Sequence, residues 1–154
     1  MKRGQQGLSL IEVLVSVLIL AIGLLGAAAI QLNALKYTDS STMNTQASFI
    51  AYDMMDRIRA NPEGAYGLAS LDAAPTSGNL SAPVTQDKYD FATNIKAMGG
   101  TAATITKNGY VYTITITWND VRAVSAANQV NNGSATTSQT FILNSRVAAD
   151  AVIK

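Results

Sequence analysis

The 154-residue chain contains no cysteine and no histidine. Disulfides are therefore excluded in any compartment. Cys/His zinc sites, a Cys–His nucleophile pair and a Ser–His–Asp triad are excluded with them. Charge is also scarce: 14% of residues are charged and the formal net charge is +1. A near-neutral chain offers no electrostatic footprint for nucleic acid. The acids are scattered, and the closest pair expected outside a helix is Asp87 and Asp90, in QDKYD. No glycine-punctuated ligand loop surrounds them, so they read as solvated loop acids rather than a calcium site. No metal, cofactor or catalytic residue is expected, and the chain does not read as an enzyme.

What the sequence has in abundance is apolar surface, and it is concentrated at the start. Val13–Ile30 carries no charge and is interrupted only by Ser16, Gly23 and Gly26. A run of this length, apolar on every side, belongs in lipid or among other apolar helices. Lys2 and Arg3 precede it, and no cation follows until Lys36. The positive-inside bias keeps the N-terminus cytoplasmic and exports the rest. A secretory signal cleaved after Ala27-Ala28-Ala29 would fit the basic start, but the apolar region exceeds the usual length of about 7–15 residues. Neither that reading nor a plain anchor explains Glu12. A charge near the bilayer centre costs about 2.5–3.5 kcal/mol, so an acid at the edge of the run needs a purpose.

Gly7-Leu8-Ser9-Leu10-Ile11-Glu12 resembles the processing motif of type IV prepilins. The resemblance implies cleavage between Gly7 and Leu8 by a prepilin peptidase, N-methylation of the new α-amine on Leu8, and an assembly role for Glu12. Leucine stands where the family usually has phenylalanine. The cut would place a positive amine about one helical turn from Glu12. An incoming subunit's amine could then pair with a neighbour's carboxylate. Removing one partner of such a buried pair costs about 3–5 kcal/mol, enough to decide whether a subunit is incorporated.

After Ile30 the pattern becomes one-sided. Met43, Ala47, Ile50, Met54 and Ile58 recur at helical spacing, and Asn61-Pro62 ends the run. A helix from Ser9 to Ala60 would extend roughly 75–80 Å, its first half apolar all round and its second packed on one side against a globular head, like a lollipop. Glu63–Gln86 is rich in Ala, Ser, Gly and Pro and reads as a connecting loop. Tyr110, Tyr112, Ile114, Ile116 and Trp118 alternate with Val111 and threonines, which predicts a half-buried strand. Asn108-Gly109 is a two-residue hairpin signal pairing it with a strand near Ala102–Lys107. A polar loop around Asn131-Asn132-Gly133 leads to a later strand in which Phe141, Leu143, Ser145 and Val147 alternate. The expected fold is α+β: a long N-terminal helix packed by a small antiparallel β-sheet, as in type IV pilins. The tyrosines and Trp118 are expected to pack on the helix.

Three stretches narrow the resemblance: Ala51–Pro62, Ala21–Gly26 and Tyr112–Trp118. They are similar to the PilV group of minor pilins, the type IV pilus modification proteins. The proline within the apolar segment and the C-terminal cysteine pair of major pilins are both missing here. The resemblance implies a leader at 1–7, a membrane and filament-core half at 8–30, and an extracytoplasmic head at 31–154 that includes an amphipathic helix half at 31–61. It implies an inner-membrane protein with a periplasmic head that later enters a surface pilus fibre. Its partners would be other minor and major pilins, a prepilin peptidase/methyltransferase and the inner membrane, with no nucleic acid. Its role would be to initiate or modify pilus assembly in support of twitching motility and attachment. A minor pseudopilin of type II secretion and an adhesive or DNA-uptake tip subunit are the alternatives. Arg57 and Arg59 read as a solvated helix C-terminus favoured by the dipole, or as contacts to a neighbouring minor pilin.

Overall fold

The structure, a computed structural model, describes residues 10–120 and 138–147. Helix α1 spans Leu10–Ala60 and α2 spans Pro83–Ala97, with a short 3-10 turn at Leu71–Ala73 between them. Strands β1 (Gly100–Asn108), β2 (Val111–Asn119) and β3 (Ser138–Arg146) form one antiparallel sheet in the order β1-β2-β3. The chain divides into two compact units, Met1–Thr38 and Asp39–Lys154.

In the first unit every described residue of α1 up to Leu35 is exposed. No other described residue of this unit covers this apolar length. Ser16 satisfies its hydroxyl locally, donating to the Val13 carbonyl at 2.9 Å, as a helix bound for lipid requires.

In the second unit α1 turns one face inward. Ala47, Ala51, Met54, Met55 and Ile58 are buried, and Met43 and Ile50 are partly buried against the same cluster. The stripe read from the sequence is thus the helix's contribution to the core. The helix stops at Ala60, immediately before Asn61-Pro62, as the restricted backbone before proline dictates.

Strand β2 supplies the opposite wall. Tyr112, Ile114, Ile116 and Trp118 are buried, while Thr113, Thr115 and Thr117 face the other way and are half-buried. Those threonines are tied across the sheet: Thr113 donates to Asn144 Oδ1 at 2.6 Å, and Thr117 Oγ1 lies 3.2 Å from Thr140 Oγ1. On β3, Phe141, Leu143 and Ser145 are half-buried in alternation with exposed neighbours, and Val147 beyond its end is buried. The expected alternation holds on both strands.

Three expectations are corrected. The two-residue hairpin loop is Gly109-Tyr110, because Asn108 itself pairs with Val111. Gly109 has φ +59°, which suits the first loop position of a primed turn. Tyr110 therefore leaves the apolar face of β2 and is 57% exposed. Second, Glu63–Gln86 is more than a connector. Tyr66, Leu68 and Leu71 from it are buried, and Leu68 exchanges two backbone hydrogen bonds of 2.9 Å with Ile105. Third, the segment continues into α2, which begins with Pro83 in its first turn and buries Phe91, Ala92 and Ile95. The polar loop expected around Asn131–Gly133 lies outside the described residues.

The turn from α2 into β1 is made by two glycines. Gly99 has φ +84°, the left-handed conformation that closes helix C-termini. A Cβ on Gly100 would collide with the Ile95 side chain and come within 3.0 Å of its carbonyl oxygen. That close approach lets β1 start directly beneath the last turn of α2.

Candidate functional site

Glu12 stands in the first turn of α1. An acid there is favoured by the partial positive charge of the helix N-terminus. It makes no salt bridge with the described residues, and the residues around it are exposed apolar side chains such as Leu10, Ile11, Val13 and Val15. A carboxylate thus sits at the rim of a helix long and apolar enough to cross a membrane. Gly23 and Gly26 leave open space where a side chain would stand. On an apolar helix, such gaps allow another helix to come close. Gly7 and Leu8, the residues expected to flank the cleavage, lie outside the described residues.

The other charged constellation is at the far end of α1. Arg57 Nε meets Asp53 Oδ2 at 3.0 Å, and its Nη1 meets Asp87 Oδ1 at 2.8 Å and Asp90 Oδ2 at 3.0 Å. The Tyr66 hydroxyl donates to the second oxygen of Asp87 at 2.8 Å, and Gln86 donates to that of Asp90 at 2.8 Å. The hydrogen bond that Arg57 donates to Asp87, helped by the one it donates to Asp90, raises the Arg57 pKa beyond its ordinary value despite the opposing effect of burial. Burial first, and the Asp87 bond second, push Tyr66 up to about 12. Lys88, nearby on α2, is lowered by burial.

This corrects the reading of Asp87 and Asp90 as solvated loop acids: they project from α2 and clasp α1. It also corrects the reading of the helix-end arginines as simply solvated. Arg57 is held by α2, and Arg59 is held by Asp56 at 2.6 Å and by Ser145 at 2.8 Å. The missed signal was α2 itself. Val84, Phe91, Ala92 and Ile95 recur at helical spacing behind Pro83, and that pattern would have placed both aspartates on one helix, three apart. Among the described residues no group of acids is arranged to hold a metal ion; the carboxylates of the clasp are taken up by Arg57, Tyr66 and Gln86 and fasten one helix to another.

Residues 2–28 match the family model for the prokaryotic N-terminal methylation motif. No curated protein and no solved structure shows a significant match to the chain. The match covers the basic start, the glycine, Glu12 and most of the apolar run. It supports a type IV pilin-like protein, processed by a prepilin peptidase and built into pilus-like fibres. The long N-terminal helix and three-stranded antiparallel sheet agree with the α+β type IV pilin fold.

Proposed function

We propose that the chain is a minor pilin of the PilV group, which helps initiate or modify type IV pilus assembly and so supports twitching motility and attachment. In this reading residues 1–7 are a leader removed after Gly7, and Leu8 becomes the N-methylated first residue. Residues 8–30 anchor the protein in the inner membrane and then enter the filament core, while residues 31–154 form the extracytoplasmic head. Its partners are other minor and major pilins and the prepilin peptidase/methyltransferase.

The observation that carries the reading is the methylation motif over residues 2–28, with Glu12 at the rim of an exposed apolar helix. A carboxylate there has a large incentive to pair. The α-amine created on Leu8 of an adjoining subunit is the complementary charge available at that depth. The helix-end stretch Ala51–Pro62 is the feature that favours the pilus over a secretion pseudopilin.

The test is the intact mass and N-terminal sequence of the protein recovered from its native cell envelope. Methyl-Leu8 as the first residue is the expected result. A chain beginning at Ile30 would indicate an ordinary signal peptide, and one beginning at Met1 a simple anchor. Either would overturn the assignment.

A further inference from the structure

Thioethers are the only sulfur in the chain, which has five methionines and no cysteine. Four of them, Met43, Met54, Met55 and Met98, lie among the described residues, and all four belong to one apolar cluster. Their shielding is unequal. Met54 and Met55 are 1% and 0% exposed, whereas Met43 and Met98 are half-buried at the margin of the cluster. Met98 also lines an open groove of about 350 Å³, together with Gln46, Phe49 and Ile50 from α1 and Asn94 and Ala97 from α2.

The two accessible sulfurs border the same piece of backbone. Met98 caps α2, its N–H donating to the Asn94 carbonyl at 3.0 Å. The Met43 methyl stands 3.8 Å from where a Cβ on Gly99, the next residue, would lie. The Gly99 N–H in turn donates to the Lys96 carbonyl at 3.0 Å. Helix α2 is thus held differently at its two ends. Asp87 and Asp90 fasten its start to Arg57 by charge. Its far end is seated by the apolar packing of Phe91, Ala92, Ile95 and Met98.

We propose that Met43 and Met98 form an oxidation site, at which hydrogen peroxide converts the thioethers to sulfoxides and loosens the last turn of α2 from α1. In each step the sulfur lone pair attacks one peroxide oxygen and the O–O bond breaks. The sulfur keeps that oxygen and is oxidised by two electrons, while the departing oxygen takes up the remaining proton and leaves as water. A sulfoxide is polar where the thioether was not, and its oxygen inside the cluster would be a buried acceptor without a donor. At Met98 it finds donors by turning out into the groove, which the side-chain amides of Gln46 and Asn94 line. That turn withdraws the side chain from the packing that seats the helix end. Carboxylates and guanidinium do not react with peroxide, so the clasp keeps the start of α2 in place. Met54 and Met55 are reached only when the head opens, so the reaction stops at the margin.

The test treats the full chain in detergent with hydrogen peroxide and maps the added oxygen by mass spectrometry. The expected result is oxidation of Met43 and Met98 at least about tenfold faster than that of Met54 and Met55. Amide exchange at Met98 and Gly99 should then quicken about tenfold. Exchange at Thr85 and Gln86, whose N–H groups bond to the Ala82 carbonyl at the start of α2, should be unchanged. A methionine sulfoxide reductase should restore the slow exchange. Equal oxidation rates at all four sulfurs would overturn the proposal. So would oxidation of Met43 and Met98 that leaves exchange at the helix end as it was. Combining Met43→Leu with Met98→Leu should make that exchange insensitive to peroxide, and a surviving response would count against the site. If the double variant fails to fold, the oxidation map of the parent chain decides. Leader processing enters none of these readouts, so the two readings can fail independently.

Discussion

The guanidinium of Arg57 and the carboxylate of Asp87, 30 residues apart in sequence, meet at 2.8 Å and join the end of α1 to the start of α2. Asp87 is 15% exposed in its side chain and Arg57 33%, so water screens the pair only in part. Replacing Arg57 with methionine leaves Asp87 and Asp90 without their cation. The expected loss is about 1–2 kcal/mol of head stability, read by denaturant unfolding of the full chain in detergent. A cycle with Asp87→Asn should recover part of that loss, because the two changes act on one interaction. Strict additivity would contradict the pairing.

Tyr66 gives the clasp a signature at high pH. Its pKa rises from 10.0 in the unfolded chain to about 12 in the folded one, so the folded state holds the phenolic proton more tightly. The sign follows from linkage: the stabilisation is complete below pH 10 and is lost as pH rises toward 12. Thermal unfolding followed across that interval should show a downward trend in the parent chain. In Tyr66→Phe the trend should shrink, and an unchanged slope would remove Tyr66 as its source.

The buried Tyr112 hydroxyl has no hydrogen-bond partner among the described residues. A buried donor left unpaired costs about 1–3 kcal/mol. Tyr112→Phe removes the oxygen and keeps the ring beneath Lys107, so its stability should equal or exceed that of the parent by about 1 kcal/mol. A marked loss would reveal a bond to that hydroxyl.

At Gly109 the constraint is backbone rather than space. A Cβ there would meet nothing within 4 Å, yet φ is +59°. Alanine should therefore cost about 1–2 kcal/mol through conformation alone, and asparagine less. Equal stability for all three residues, measured by thermal melting, would mean that the hairpin re-forms with a different loop.

Met54 tests the core. It is 1% exposed within the cluster shared by both helices and the sheet. Truncation to alanine should cost about 2–5 kcal/mol. The same change at Phe49, which is 69% exposed on the same helix, should cost far less.

How far the sequence revealed these features depended on how local their causes were. The α1 stripe and its stop at Pro62 follow from spacing and from one proline, and both were legible. Alternation on β2 and β3 was equally clear, since each face meets a single environment. The hairpin register slipped by one residue because Asn108-Gly109 resembles a loop pair, while the strand ladder extends to Asn108 and commits the loop to Gly109-Tyr110. Helix α2 was hidden by its composition: polar residues occupy so much of its surface that Val84, Phe91 and Ile95 stand out only once a core is known to receive them. Arg57 with its carboxylates, and Arg59 with Ser145, depend on tertiary placement and carry no local signature. The methylation motif is the reverse case: it is read linearly, so the match over residues 2–28 needs no fold.

The order in which the head's parts leave the ribosome sets a problem of timing. Its earliest element, the buried face of α1 at Ala47, Ala51, Met54, Met55 and Ile58, is sealed by side chains of β1 and β2 that are synthesised some fifty residues later. At about 5–20 residues per second, that face stays bare for several seconds. With no disulfide to trap an early partial structure, a chaperone or membrane surface that sheltered the stripe would favour folding. The yield of folded protein should therefore track the availability of such shelter more closely than the stability of the finished core.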